Sequence, residues 1–419
     1  MSWRELFGES FTSLKFYRRR TLVTVLSLAW GVASFILLMS YGNGFGELME
    51  SSFNAVGQDL IVVCNGQTSL QAGGLRAGRR IRLEREDVEA IRESVPLIGR
   101  ISPEKFARRL TVVRGNREKQ IPVRGANAEY KLIRNMSLAT GRWFTDEDLL
   151  QRNRVAVLGA SVARQLFSGI PPESEEISIA ANRFTVIGVL EPKGQLAQYS
   201  NNDNDCIFIP YDSMSLFSDI HYPEVIVWTP VSGMARREAI RQMRITLAGI
   251  HRFSPNDTRA VEVIAFNDFL YIVEGMSMAA SVLVGFIGSL TLAIGGVGLA
   301  NIMLASVVER TREIGVLKAL GGRKRAIRGQ FLIEALMIVG AGGVLGTVLG
   351  VALTRAIGSM PLLGPLFQDA AEKGDLHFQA SPGSILVSIG VLLTVGLVAG
   401  MVPAFKASRL DPIEALRYE

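Results

Sequence analysis

The stretch MAASVLVGFIGSLTLAIGGVGLANIM, residues 278–303, decides how the whole chain is read. It runs for 26 residues without Asp, Glu, Lys, Arg or His, and a hydrocarbon layer about 30 Å thick is crossed by roughly 20 helical residues. Three further runs share its apolar character: Leu22 to Tyr41, Phe331 to Ile357 and Ile385 to Pro403. Runs this long and this poor in charge are not the buried core helices of a soluble chain. A mean hydropathy of +0.26 and 42 glycines in 419 residues agree with that. The fold expected is a membrane protein, with four transmembrane α-helices and a large α+β extracytoplasmic domain inserted between the first and second. The first run exceeds the roughly 7–15 apolar residues of a secretory signal, so it reads as a retained anchor.

Lys and Arg near span ends tend to stay cytoplasmic. Arg18, Arg19 and Arg20 precede the first run; Arg310, Arg312, Lys318, Arg323, Lys324, Arg325 and Arg328 lie between the second and third; Lys406, Arg409 and Arg417 follow the fourth. Both termini are therefore expected inside a bacterial cytoplasmic (inner) membrane crossed four times. The sequence pI of about 9.4 is explained by these clusters, with no nucleic-acid partner required. The divisions expected are an amphipathic N-terminal helix over 1–20, membrane helices over 21–41, 276–304 with its preceding stalk, 330–357 and 385–403, and an extracytoplasmic domain over 42–275. A cytoplasmic helix with a basic loop is expected over 305–329, a short outer loop holding Asp369, Glu372 and Asp375 over 358–384, and a cytoplasmic tail over 404–419. In the first of these, Trp3, Leu6, Phe7, Phe11 and Leu14 recur at helical spacing, suiting a helix on the membrane surface or in solvent.

Within the outer domain, strand patterns at Asp59–Cys64, Leu110–Arg114, Gln120–Arg124, Arg154–Leu158, Glu176–Ala180, Phe184–Leu190, Cys206–Pro210, Glu224–Thr229 and Ala260–Phe266 alternate with helical ones at Arg85–Val95, Ser161–Phe167 and Arg237–Ile250. Cys64 and Cys206, the two cysteines, either form a disulfide, which an extracytoplasmic location permits, or act as small buried apolar residues. From about Ala265 a helix either enters the second span as one stiff rod or turns near Gly275. Gly342, Gly346 and Gly350 in the third run and Gly396 and Gly400 in the fourth recur at four-residue spacing, the pattern that lets helix backbones meet in lipid, with partners in this chain or in a second copy. Ionisable groups are nearly absent from the span centres, which argues against an ion-coupled path. Glu334, near the inner end of the third run, reads as a partner for Arg325 or Arg328.

No catalytic residue, metal ligand set or cofactor site is expected. The sequence holds no GxxxxGK[ST] loop, and its histidines, His221, His251 and His377, have no HExxH or cysteine partners. Gly159-Ala160-Ser161-Val162-Ala163 falls one glycine short of a nucleophile elbow, and Ser161 reads more simply as a helix N-cap. What stands out is Glu309-Arg310-Thr311-Arg312-Glu313-Ile314-Gly315-Val316-Leu317-Lys318-Ala319-Leu320-Gly321-Gly322-Arg323-Lys324-Arg325 between the second and third runs. Ile314, Leu317 and Leu320 share one face of a short helix that ends at glycine, suited to a partner's groove or to anionic lipid.

That segment, with Gly295–Met303 before it and Gln330–Ala335 after it, closely resembles the MacB/FtsX-like permease family. The ending Pro403–Arg417 is similar to that family's tail. Gly141–Phe144, Val155–Gly159, Val186–Leu190 and Ile207–Tyr211 resemble pieces of its periplasmic core domain, in order. The resemblance covers essentially the whole chain. It implies a permease subunit that works as a dimer of two copies, each docked on a separate ABC ATPase subunit that binds ATP and Mg and whose closure moves the outer domains as levers. A periplasmic adaptor and an outer-membrane duct are further partners it suggests. Unlike MacB, the sequence shows no ATPase domain, which points to split-subunit members. The resemblance implies an ATPase-coupling contact at Glu309, Arg310, Arg312, Glu313, Ile314, Gly315, Lys318, Ala319, Leu320 and Gly321, joined by Asp411, Pro412 and Ala415. On that basis Ile314→Asp is expected to uncouple the ATPase while leaving the fold intact. Export from the periplasmic side, lipoprotein extraction and mechanical activation of an extracellular hydrolase are the three activities left open.

Overall fold

The structure, a computed structural model, describes residues 18–364 and 371–417. The amphipathic segment through Trp3 and Leu14, and Asp369 of the outer loop, lie outside the described residues. Two compact units form: one runs up to Glu47 and takes in Gly275–Met360 and the chain from Leu376 onward, and the other comprises Leu48–Glu274 with Pro361–Asp375.

The first unit is built on four helices long and apolar enough to cross a membrane: Arg18–Asn54, Phe266–Glu309, Lys324–Ile357 and Pro382–Arg409. Phe266–Glu309 is one unbroken helix, so no turn interrupts it at Gly275. Helices satisfy their own backbones in lipid, and close approach is what remains to be arranged. A Cβ added to Gly342 would stand 2.8 Å from Leu28 Cβ, on Gly346 2.6 Å from Val32 Cβ, and on Gly350 3.1 Å from Ile36 Cβ. The third helix therefore lies against the first along this stripe. Gly396 and Gly400 face the third helix, with Val339 Cγ2 and Ala335 Cβ at 2.5 and 2.7 Å from the added carbons. All five glycines thus meet helices of this same chain. Gly346→Leu is expected to wedge the first and third helices apart at a cost of about 1–3 kcal/mol, a fall of roughly 3–10 °C in the melting midpoint in detergent. Gly340→Leu, where nothing lies within 4 Å of the added carbon, is expected to melt like the unmodified protein.

The second unit is a mixed sheet of β1 (Ile61–Gln67), β2 (Arg80–Ile81), β3 (Ile98–Arg114), β4 (Arg117–Ala126), β5 (Leu138–Gly141), β6 (Val155–Leu158), β7 (Glu176–Ile179), β8 (Asn182–Leu190), β9 (Ile207–Pro210), β10 (Val225–Pro230) and β11 (Val261–Ala265). Their order is β11-β1-β10-β3-β4-β9-β6-β8-β5, with β2 beside β1 and β7 beside both β3 and β8. Helices Arg85–Ser94 and Arg236–His251 lay Val88, Ile91, Met243 and Leu247 over Ile61, Val63 and Trp228. Ala160–Phe167 packs Val162 and Leu166 on Ile177, Phe184 and Val186.

The disulfide does not form: Cys64 and Cys206 are both free thiols. Cys64 lies on β1 and Cys206 leads into β9, with β10, β3 and β4 between those strands. Strands about 4.8 Å apart put the pair well beyond the roughly 4–7 Å that a disulfide allows between Cα atoms. Cys206 instead donates its Sγ–H to Asn202 O at 3.1 Å, and burial pushes its thiol up to about 12.

Candidate functional site

Between the second and third membrane helices the chain forms a short helix, Thr311–Ala319. Its stop is a Schellman turn: Gly322 N–H donates to Leu317 O at 2.9 Å, Gly321 N–H to Lys318 O at 3.0 Å, and Gly321 takes the positive φ of 90° such a turn requires. Its start is a single non-helical residue, Arg310, at φ −101° and ψ 14°.

One face of this helix is bolted to the inner end of the bundle. Ile314 is 4% exposed and joins a core with Val307, Ile327, Phe331 and Ala407. Gly315 lies against the tail helix Pro412–Arg417 so closely that an added Cβ would stand 2.7 Å from Ala415 Cβ. Asp411 caps that tail helix, its Oδ1 accepting from Ile413 N–H at 2.8 Å, and Pro412 occupies its first position. Lys318 donates from Nζ to the carbonyls of Ser408, at 3.1 Å, and Leu410, where the fourth helix ends. Arg20 of the first helix meets Glu309 at 2.5 Å. Among the described residues it is Arg310, rather than the expected Arg325 or Arg328, whose Nη1 stands 3.4 Å from Glu334 Oε2.

The other face is open. Arg312, Glu313 and Ala319 are exposed, and among them Val316, Leu317 and Leu320 are 44%, 46% and 82% exposed. Ile413 of the tail helix is exposed as well. The face expected to carry Ile314, Leu317 and Leu320 together is thus divided: Ile314 belongs to the protein's own core, and Val316 joins the surface. Charges around a small apolar patch on a rigidly backed helix can dock in a groove; they include no acid–base pair or nucleophile arranged for catalysis.

The outer domain contains a second constellation that sequence patterns did not reveal. Asp203 is fully buried and accepts from Arg134 Nη2 at 2.7 and 2.9 Å, from Arg124 Nη1 at 3.0 Å and from Lys193 Nζ at 3.3 Å. Glu104, also buried, accepts from Tyr130 at 2.6 Å and Tyr199 at 2.5 Å, with Arg124 Nη1 3.4 Å away. Gly159 makes room beside them, since a Cβ there would strike the carbonyls of Asp203 and Asn204; it, rather than Ser161, is the N-cap of Ala160–Phe167. Burial works to raise the Asp203 carboxyl, but Arg134, Lys193 and Arg124 hold it well below the usual carboxylate range. Burial pushes the Lys193 amine down from 10.5 to about 8, against the pull of Asp203.

Between pH 8 and 10.5 the unfolded chain therefore holds the Lys193 proton more tightly than the folded one, and stability rises with pH across that window. The gain is on the order of 2–3 kcal/mol. Lys193→Met is expected to flatten this rise, which urea midpoints of the full-length protein and the variant at pH 7.5 and 10.5 would measure; parallel midpoints would contradict it.

Comparison with known proteins adds an independent line. The model of the MacB-like periplasmic core domain matches residues 21–244, and that of the FtsX-like permease C-terminal matches 285–412. The chain is 32% identical over 420 residues to the macrolide export ATP-binding/permease protein MacB of Bdellovibrio bacteriovorus, covering 99% of this chain and 62% of that protein. It is 29% identical to the probable syringafactin export ATP-binding/permease protein SyfD of Pseudomonas syringae pv. tomato, covering 99% of this chain and 59% of that one. The chain thus spans about 60% of the length of these curated relatives. The crystal structure of the periplasmic region of MacB from Actinobacillus actinomycetemcomitans matches with TM-score 0.42 and 18% identity, over 54% of this chain and 98% of that one.

Proposed function

Because this chain belongs to the MacB/FtsX-like permease family, we propose that it is the permease part of an ABC transporter, driven through the helix Thr311–Ala319 by an ATPase domain outside these 419 residues, read here as a separate subunit. ATP and Mg bind to that ATPase. The observation that carries this reading is the two-sidedness of the short helix. Its outer face offers Val316, Leu317 and Leu320 among charges, while its inner face is tied to the ends of the second, third and fourth membrane helices. A helix free on both faces would swivel under load, and one buried on both would have nothing to receive.

The unbroken helix Phe266–Glu309 supports a lever: a push at its inner end travels along a continuous hydrogen-bonded rod instead of being lost in a loop. On this reading two permease copies work together, both termini lie in the cytoplasm, and the outer domains move to drive a peptide, drug or lipid-like substrate outward from the periplasmic side with an adaptor. The names of the relatives, which speak of export, favour this over lipoprotein extraction or activation of a hydrolase.

The test uses Leu317→Asp with Leu320→Asp. Both side chains are exposed, so surface changes of this kind are expected to move stability by about 0.5 kcal/mol or less. The double variant should insert and melt normally yet lose at least ten-fold in permease-stimulated ATP hydrolysis by the co-expressed ATPase. Full stimulation, or modification of a cysteine at Leu320 by an impermeant reagent added outside intact cells, would overturn the reading.

A further inference from the structure

We propose that Glu334 is a positioning residue for the short inner helix: set against Arg310, it fixes the elbow where the second membrane helix turns into Thr311–Ala319, so that displacement of that helix is carried into the bundle instead of being spent as rotation. The inference rests on the coupling reading above and says what makes that surface effective.

The backbone and the packed face of the short helix already hold part of this elbow, with Ile314 in the core and Lys318 bonded to the end of the fourth helix. Arg310 N–H still reaches Ser306 O at 3.1 Å and Arg310 O still accepts from Ile314 N–H at 3.0 Å, so helical bonding passes through the bend nearly uninterrupted. A single residue at φ −101° and ψ 14° separates the two helices and is the point at which their angle is set. Side chains at the break fix that angle further. Among the described residues two ion pairs flank it. Arg20–Glu309 is 51% and 36% exposed, and pairs in water hold geometry weakly and are screened by salt. Arg310–Glu334 is 14% and 5% exposed and is shielded from both effects. Glu334 is followed by Ala335, which is fully buried and packs against Gly400 of the fourth helix, so its backbone sits at a fixed seam. A buried carboxylate is costly unless paired, which argues for a task beyond filling space. The task the geometry assigns is angular: the carboxylate comes from the third helix, the guanidinium from the elbow, and their contact adds, at the bend itself, to the hold that Ile314 and Lys318 give further along the short helix.

The experiment uses the full-length permease co-expressed with its ATPase. Glu334→Gln keeps the size and hydrogen-bonding capacity of the side chain and removes the charge. Co-purification of the ATPase should persist, while permease-stimulated hydrolysis falls at least five-fold. The exchange Arg310→Glu with Glu334→Arg should restore stimulation to within about two-fold of the unmodified protein. A second readout does not depend on the ATPase: spin labels at Glu313→Cys and Ala341→Cys should give a distance distribution at least twice as broad when Glu334→Gln is added. If the unmodified permease neither binds nor stimulates the ATPase, the coupling reading itself fails. If it stimulates normally and Glu334→Gln stimulates to within two-fold of it, or leaves the spin-label distribution unbroadened, the positioning role is wrong and the coupling reading stands.

Discussion

Ile314→Asp is expected to unfold the inner end of the bundle, not merely to disconnect the protein from a partner. The side chain is 4% exposed and packs with Val307, Ile327, Phe331 and Ala407, drawn from the second, third and fourth membrane helices. A carboxylate there has no partner among those apolar groups, and burying a charge without compensation costs several kcal/mol or forces the site to open. Deleting the apolar contacts adds a further 2–5 kcal/mol typical of core truncations. A combined loss of about 5 kcal/mol or more corresponds to a fall of roughly 10 °C or more in midpoint. Ile314→Val should cost about 1 kcal/mol, and Leu320→Asp close to nothing. Melting of the three variants in detergent checks the order. A melting point for Ile314→Asp equal to that of Leu320→Asp would mean that the short helix does not pack as described.

Asp203→Ala is the second large effect. The substitution removes the carboxylate that three buried cations share, leaving Arg124, Arg134 and Lys193 with Glu104 as the remaining anion of the network. Breaking a buried ion pair from one side typically costs 3–5 kcal/mol because the surviving charge stays desolvated. The expected outcome is loss of the outer domain's cooperative unfolding transition, or a drop of roughly 10 °C in it. Removing both sides is gentler. Asp203→Leu combined with Arg134→Met replaces a buried pair by apolar groups, an exchange often close to neutral, so the double variant should be more stable than Asp203→Ala. A double-mutant cycle in urea measures this. A cost below about 1 kcal/mol for Asp203→Ala would show that the network contributes little to holding Arg124, Arg134 and Lys193 in place.

The two predictions differ in how visible their sites were beforehand. The segment around Ile314 announces itself, because mixed charges, an apolar period and a glycine stop lie within about a dozen consecutive residues. Its orientation did not, since Leu317 and Ile314 look equivalent on a helical wheel until the ends of the membrane helices cover one of them. The network around Asp203 had no local signal. Its members come from β3, β4 and three loop or short-helix segments, and Glu104 and Lys105, only 0% and 7% exposed, interrupt the apolar alternation that would have marked the first half of β3. That is why a strand running Ile98–Arg114 was legible only from Leu110.

Sequence by itself determined the four apolar helices and the insertion of an α+β domain between the first two, because a segment in lipid must meet its backbone needs within itself and therefore writes its length and apolarity in consecutive residues. It also determined the place of the short inner helix and the glycine stripes. Tertiary structure alone decided that those stripes meet helices of the same chain, that Cys64 and Cys206 stay apart, that Ile314 faces inward, and that Glu334 answers Arg310. Each of these is a pairing between residues distant along the chain, and pairing energies depend on separation in space, which no single stretch of sequence records.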